Sequence, residues 1–294
     1  MIAEPVPVRR TREIEEPTNR YLIHPMSRAL VTRLARWGVS PNAVSVVGLG
    51  FGAGAALAYA GYERWPMPLL GFGLMIGWHV LDGADGQLAR LTGRTSEVGK
   101  VLDGLCDHGT FALVYLSLAW ASAQALGPWA WGAAVLAGLS HLAQAGAYEF
   151  QRQSYDFWVH GKRAARVPTP EAFRRELQGR RGWARAFGRV HLRYLQMQRA
   201  VTAGEEPLRA RLEAALREPE GAARVAAAYR AVNLRGVRRW NLLCSNYRTL
   251  AIFAACLAGS PVFFFAFEVV VLNAVFAALV RMQRRHDRAL LARL

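Results

Sequence analysis

Four aspartates stand in two pairs along one short stretch of the chain: Asp82 and Asp85 are three residues apart, and Asp103 and Asp107 are four apart. On a helix, either spacing puts both members of a pair on one face. Four carboxylates gathered at the edge of an apolar segment repel one another and are costly to desolvate. Divalent cations resolve that cost, and an all-oxygen ligand set favours hard ions, Mg²⁺ or Mn²⁺. Four carboxylates suffice for two such ions at the separation used in phosphoryl chemistry, about 3.5–4 Å. Gly83, Gly86, Gly99 and Gly104 lie among them and let backbone approach closely, and Arg90 can fork onto a phosphate.

The elements that must hold these residues are apolar helices. Asn42 to Tyr62 is uncharged over a length that crosses a bilayer. Trp65 to Leu81 is uncharged up to the first aspartate pair. From His108 to Glu149 the chain is again uncharged but about twice one span, and Gly127-Pro128 breaks it into a helical hairpin. A last pair is expected between Asn241 and Val280, divided at Gly259-Ser260-Pro261, with Arg248 and Glu268 as its charges. Six spans result, preceded by an amphipathic juxtamembrane segment from Met26 to Trp37. The predicted fold is an all-α integral membrane protein.

Charge orients it. The 294 residues hold 37 Lys and Arg against 21 Asp and Glu, a formal charge of +16, with 53% hydrophobic residues. That combination excludes disorder and an ordinary cytosolic enzyme. Residues 1–41 carry +3, 42–150 carry −3, 151–240 carry +12 and 241–294 carry +4. The short connections near Glu63-Arg64, Gly127-Pro128 and Gly259-Pro261 hold a single Arg. By the positive-inside rule both termini, the acidic cluster and the 151–240 segment face the cytoplasm. Nucleic-acid binding is disfavoured, because the chain shows no groove-binding motif. No secretory signal is read at the N-terminus, where Arg9-Arg10 precedes acidic sequence. Cys106, Cys244 and Cys256 are expected to be buried thiols. Thirty-five arginines against two lysines hint at a bacterial genome rich in GC, and so at a bacterial inner membrane.

The run Asp82-x2-Asp85-Gly86-x2-Ala89-Arg90-x8-Gly99-x3-Asp103-x3-Asp107 resembles, at every specified position, the motif of the CDP-alcohol phosphotransferase (phosphatidyltransferase) family. Pro41-Asn42-Ala43-Val44-Ser45, opening the first span, is similar to that family's juxtamembrane entry, and six spans with cytoplasmic ends agree with it. The likeness covers roughly residues 20–150 and, more loosely, 240–285. It implies that Asp82, Asp85 and Asp103 bind two divalent cations, and that Asp107 contacts one of them while acting as general base. It implies that Gly86 and Arg90 hold the nucleotide's phosphates, with Asn42, Ala43, Val44, Ser45 and Ser96 completing the CDP-alcohol pocket. The implied reaction is attack of an acceptor hydroxyl on the β-phosphorus of a CDP-alcohol, usually CDP-diacylglycerol, with release of CMP. A homodimer is also implied, and Gly48, Gly50, Gly52 and Gly54 along the first span would permit close helix packing.

The organisation expected is therefore a tail with a juxtamembrane helix (1–41), spans one to four with the motif at 82–107 (42–150), a basic cytoplasmic insertion (151–240), and spans five and six with a cytoplasmic end (241–294). The insertion is long for this family. Helical stretches are expected at Pro170 to Leu177, Arg180 to Arg199 and Pro207 to Arg217, with Trp158, Trp183, Phe187 and Tyr194 interleaved. It reads either as a basic layer anchored on anionic headgroups or as a cap on the active site. Arg152 and Arg248 could bind a phosphorylated polyol acceptor, which favours CDP-diacylglycerol as donor. The reverse specificity, a small CDP-alcohol donor with a lipid hydroxyl as acceptor, and a non-catalytic scaffold are the alternatives. His79 and His108 read better as packing histidines than as ligands, Glu268 as paired within the bundle, and Tyr148 and Tyr155 as interfacial anchors.

Overall fold

A computed structural model describes residues 11–162, 165–201 and 205–293, and every regular element among them is helical. The Arg9-Arg10 pair and the side chains of Trp183 and Phe187 lie outside the described residues. The helices are α1 (His24–Arg36), α2 (Pro41–Ala60), α3 (Met67–Leu91), α4 (Glu97–Leu126), α5 (Trp129–His160), α6 (Pro170–Gln178), α7 (Gly182–Val201), α8 (Glu205–Ala215), α9 (Gly221–Trp240), α10 (Ser245–Leu257), α11 (Val262–Ala266) and α12 (Asn273–Leu291). A π-helical stretch, Phe267–Leu272, joins the last two. Among the described residues three helical runs are long and apolar enough to cross a membrane: Pro41–Ala60, Val101–Leu126 and Val262–Leu291.

The chain divides into two compact units. The first comprises Met1–Leu139 and Ser245–Val270. Its helices start where the sequence supplies caps. Ser40 accepts from the Ala43 amide and is followed by Pro41 at the first turn of α2. Ser96 accepts from the Gly99 amide at 2.9 Å to open α4. Gly127, at φ +57°, ends α4 in a conformation that suits only glycine, as the hairpin break requires. Both α3 and α4 pack on α2, so the first span is the spine of this unit. The core gathers Tyr59, Met75, Trp78, Phe111, Tyr115, Leu118, Ile252 and Phe264. Trp78 meets Phe111 edge-on at 5.4 Å and Tyr115 meets Phe264 at 5.2 Å.

The glycines of α2 serve this packing. A Cβ at Gly52 would stand 2.5 Å from Thr110 on α4, one at Gly48 would stand 3.6 Å from Leu81 on α3, and one at Gly54 would stand 3.4 Å from Leu74. Of the four small positions expected to allow dimerisation, Gly50 faces open space. Three of them are spent inside the chain, because apolar helices in lipid gain their contact energy by close backbone approach.

The second unit comprises Ser140–Cys244 and Val271–Leu294. It holds α6 to α9, the C-terminal part of α5 and α12. The expected insertion helices are present, displaced by a few residues, and α9 adds a fourth that no single stretch of sequence announces. Tyr155 and Trp158, read as interfacial aromatics, are buried here. Tyr155 and Trp158 both contact Tyr229 of α9, with ring centroids 6.3 and 6.4 Å away. Leu195, Leu208, Leu212, Val225, Val237, Trp240 and Leu290 are also buried. The insertion is thus a folded helical module with its own apolar interior, made possible by aromatics that a flat layer on lipid would have left at its surface. Gln144 of α5 donates to Asn273 of α12 at 2.9 Å, and Asn273 donates to Ser140 at 2.9 Å.

Candidate active site

The acidic cluster lies in the first unit. Asp82 and Asp85 sit near the end of α3, and Asp103 and Asp107 lie in the first turns of α4. One carboxylate oxygen from each of Asp82, Asp85 and Asp103 lies within 4.8 Å of the others. The Asp107 carboxyl hydrogen-bonds that of Asp82 and lies within reach of the charges of Asp103 and Asp85 as well. All four predicted carboxylates are therefore brought together. Asp85 is 5% exposed while the other three are half-buried.

Such a bare gathering of like charge, with one carboxylate almost out of water, is what a divalent cation would relieve. The donor set is oxygen only and the mutual distances suit ions shared between carboxylates. The residues present fit Mg²⁺ or Mn²⁺.

The predicted pocket residues divide. Ser45 on α2 is buried and its hydroxyl donates to Asp85 at 2.5 Å. Asn42 is exposed at the start of α2, with Oδ1 3.1 Å from where a Cβ would stand on Gly99. Ser96 Oγ is 3.0 Å from that same point. Asn42, Ser96 and Gly99 thus converge at the N-terminus of α4. The Arg90 guanidinium folds back over Gly86, 3.4 Å from where a Cβ would stand. Ala43 is exposed, and Val44 is buried with Val31, Ala84 and Leu88 in a small core under α1. Gly104 faces open space, whereas Gly83 does not.

Gly83 seats the juxtamembrane helix, a contact that sequence reasoning missed. Ser27 of α1 is fully buried and donates to the Ile23 and Val80 carbonyls at 2.9 and 2.8 Å. Its Oγ would lie 2.7 Å from a Cβ on Gly83. The signal was available in a serine on an amphipathic helix, but its partner is a backbone carbonyl 53 residues away. Ahead of α1, His24 pairs with Glu15, and Asn246 of α10 donates to the buried Glu16 at 2.9 Å.

Arg248 is fully buried and forks onto the equally buried Glu268, Nε to Oε2 at 3.0 Å and Nη2 to Oε1 at 3.4 Å. Tyr115 hydrogen-bonds both partners. In a low-dielectric bundle such a pair neutralises two charges that neither helix could bury alone. Arg152, in the second unit, is likewise bidentate on Glu149 at 3.0 and 2.8 Å. His79 is a packing histidine, 2.9 Å from the Thr249 hydroxyl, and His108 is exposed. The three cysteines are buried free thiols.

Residues 39–159 match the family model of CDP-alcohol phosphatidyltransferase. A curated relative, cholinephosphotransferase 1 of Xenopus laevis, is 28% identical over 142 residues, 43% of this chain and 34% of the relative. The chain thus spans about a third of the length of the curated relative it matches.

Proposed function

We propose that this protein transfers a substituted phosphate from a CDP-alcohol to an acceptor hydroxyl and releases CMP, at a site on the cytoplasmic face of a six-span bacterial inner-membrane protein. The meeting of the Asp82, Asp85 and Asp103 oxygens within 4.8 Å, with Asp107 bonded to Asp82, carries this reading. The family domain over 39–159 encloses every one of these residues.

Asp82, Asp85, Asp103 and Asp107 would hold two divalent cations. When bound, these neutralise the pyrophosphate and stabilise the departing CMP. Asp107 takes the proton of the acceptor hydroxyl as its oxygen bonds to the β-phosphorus and the bond to the CMP phosphate breaks. Arg90, poised over Gly86, forks onto phosphate oxygens. Asn42 and Ser96 flank the N-terminus of α4, where the helix dipole favours an anion. Ser45 orients Asp85. The site's level suits a substrate whose tails remain in lipid while its phosphates stay in water.

Two specificities compete, and two observations bear on them. The phosphorylated acceptor rested on Arg152 and Arg248, and each of these is paired with a glutamate. The relative is a cholinephosphotransferase. Together these favour a small CDP-alcohol donor with a lipid hydroxyl as acceptor over CDP-diacylglycerol with a small alcohol. Purified protein incubated with Mg²⁺ or Mn²⁺ and either CDP-choline plus diacylglycerol or CDP-diacylglycerol plus glycerol 3-phosphate should release CMP with one pair. Asp107→Ala should abolish that release, a loss of at least about 10²-fold, while circular dichroism remains helical. Unchanged release in that variant rejects the base. No CMP from any donor leaves the scaffold reading.

A further inference from the structure

The second unit carries a surface that neither the carboxylates nor the nucleotide pocket uses. Helix α7 lies with one face pressed on its neighbours. A Cβ at Gly146 of α5 would stand 3.3 Å from both Tyr194 and Met197 of α7. Gln198 donates to the Gly146 carbonyl at 2.7 Å. Farther along α7, Gly188 receives Leu177 of α6, Arg199 pairs with Glu171, and His191 packs on Phe173 at 4.9 Å.

The opposite face is exposed and basic. Arg185, Arg189 and Arg193 repeat every fourth residue, so they form one stripe along the helix. Ala186 is exposed beside them, and Val190, between the last two, is 67% exposed. Among the described residues of this unit, ion pairs include Arg180 with Glu176, Arg199 with Glu171, and both Arg166 and Arg209 with Glu213. The stripe arginines are in none of these pairs.

Depth comes from α5. Its apolar run ends at Glu149, and Gly146 lies one turn before that, about 4.5 Å along the axis. Ser140 and Gln144, farther up the same helix, bond Asn273 of α12, inside the apolar run Val262–Leu291. That run in turn reaches its first arginine at Arg281, about 12 Å beyond Asn273. From the Asn273 contact both helices reach charged sequence within a similar distance, which sets a common boundary level. The part of α7 that holds Tyr194 and Met197 is pinned at that level. Burial, then the charge of Glu149, pushes the Tyr194 hydroxyl up to about 12, in keeping with a tyrosine tucked beside the end of α5.

We infer that α7 rests at the lipid headgroup level and that its Arg185-Arg189-Arg193 stripe binds the phosphates of anionic phospholipids, with Val190 reaching the acyl boundary. The inference rests on the six-span reading given above. A basic stripe flanked by a short apolar side chain at interfacial depth is what an anionic lipid surface complements, since arginine forks onto phosphate and its stem tolerates the boundary. A nucleic acid would have no reason to approach at that depth. The contact gives the enzyme a means of holding an anionic lipid annulus beside its second unit.

The test uses the full chain in phosphatidylcholine nanodiscs containing phosphatidylglycerol. Spin-labelled phosphatidylglycerol and phosphatidylcholine report, by electron paramagnetic resonance, the fraction of each lipid immobilised by the protein. The wild type should prefer phosphatidylglycerol, and the preference should fall at least about fivefold in R185Q/R189Q/R193Q and in the wild type at high salt. All three side chains are exposed, so the variant should keep its helicity and its melting temperature. A preference unchanged by the triple substitution overturns the inference, and so does loss of binding to an RNA oligonucleotide with lipid selectivity intact. CMP release measured on the same discs keeps the two readings apart: a failed phosphotransferase reading silences both proteins, whereas a failed lipid contact leaves selectivity equal in both.

Discussion

Ser45 of α2 donates its hydroxyl to the Asp85 carboxylate of α3 across 2.5 Å, in a buried position between the two helices. The bond ties the start of the first span to the most buried member of the acidic cluster. The other Asp85 oxygen accepts from the Gly86 amide at 2.5 Å, so both are held by partners rather than left to rotamer freedom. A carboxylate ligand so oriented binds a cation without first being ordered.

Ser45→Ala should therefore weaken cation binding while sparing the fold. Supporting partners of metal ligands are worth about 10–100-fold in affinity. The Mg²⁺ or Mn²⁺ concentration giving half-maximal CMP release should rise by that order. Ser45→Thr, which keeps the hydroxyl, should recover most of it. An unchanged metal titration in Ser45→Ala would count against the role.

Gly99→Ala tests the convergence at the N-terminus of α4. The added methyl would stand 3.0 Å from Ser96 Oγ and 3.1 Å from Asn42 Oδ1, so both must yield by a few tenths of an ångström. Misplacement of positioning groups by a full ångström costs about 10²-fold. The expected loss in kcat/KM for the CDP-alcohol is about tenfold, most of it in KM. A loss confined to thermal stability would mean that the three residues only shape the helix end.

Gly83→Ala addresses the seat of the juxtamembrane helix. Its methyl would lie 2.7 Å from Ser27 Oγ, which is held by two carbonyls and cannot swing aside. Overpacking of this kind costs about 1–3 kcal/mol. The melting temperature in detergent should fall. Adding Ser27→Ala to Gly83→Ala should restore part of it, because the clashing atom is then gone. Further destabilisation by the second substitution would refute the packing argument.

Arg248 and Glu268 form an ion pair with no exposed surface on either side chain. Removing one partner strands a buried charge, so Arg248→Met and Glu268→Gln should each destabilise by about 3–5 kcal/mol. The double substitution Arg248→Met with Glu268→Leu should regain much of the loss. Melting curves followed by tryptophan fluorescence give all three values. If Arg248→Met keeps wild-type stability and loses only acceptor affinity, the acceptor assignment returns.

The carboxylate motif was legible because its meaning lies in spacing along single helices. Intervals of three and four residues decide which side chains share a face whatever the tertiary context. The helix starts at Pro41 and Pro170 and the break at Gly127 were legible for a similar reason, since caps and turns depend on local backbone chemistry. The partners of Arg152, Arg248 and Tyr155 were not legible. Two of these lie elsewhere: Tyr155 meets Tyr229, and Arg248 meets Glu268 twenty residues on, across the turn between α10 and α11. Arg152 has its glutamate on the preceding turn, yet a sequence does not tell whether that glutamate turns toward it or toward a ligand.

By itself, the order of residues determined an all-helical chain, the apolar runs, and a motif of four aspartates with the chemistry that oxygen donors prefer. Only the tertiary structure decided that α2 is the helix on which both carboxylate-bearing helices pack, that its glycines are consumed in doing so, and that the basic segment after α5 closes around aromatics of its own. The reason is physical. Local propensity and periodicity act over a few residues, whereas the choice of neighbour is made by close packing and polar satisfaction between segments far apart along the chain.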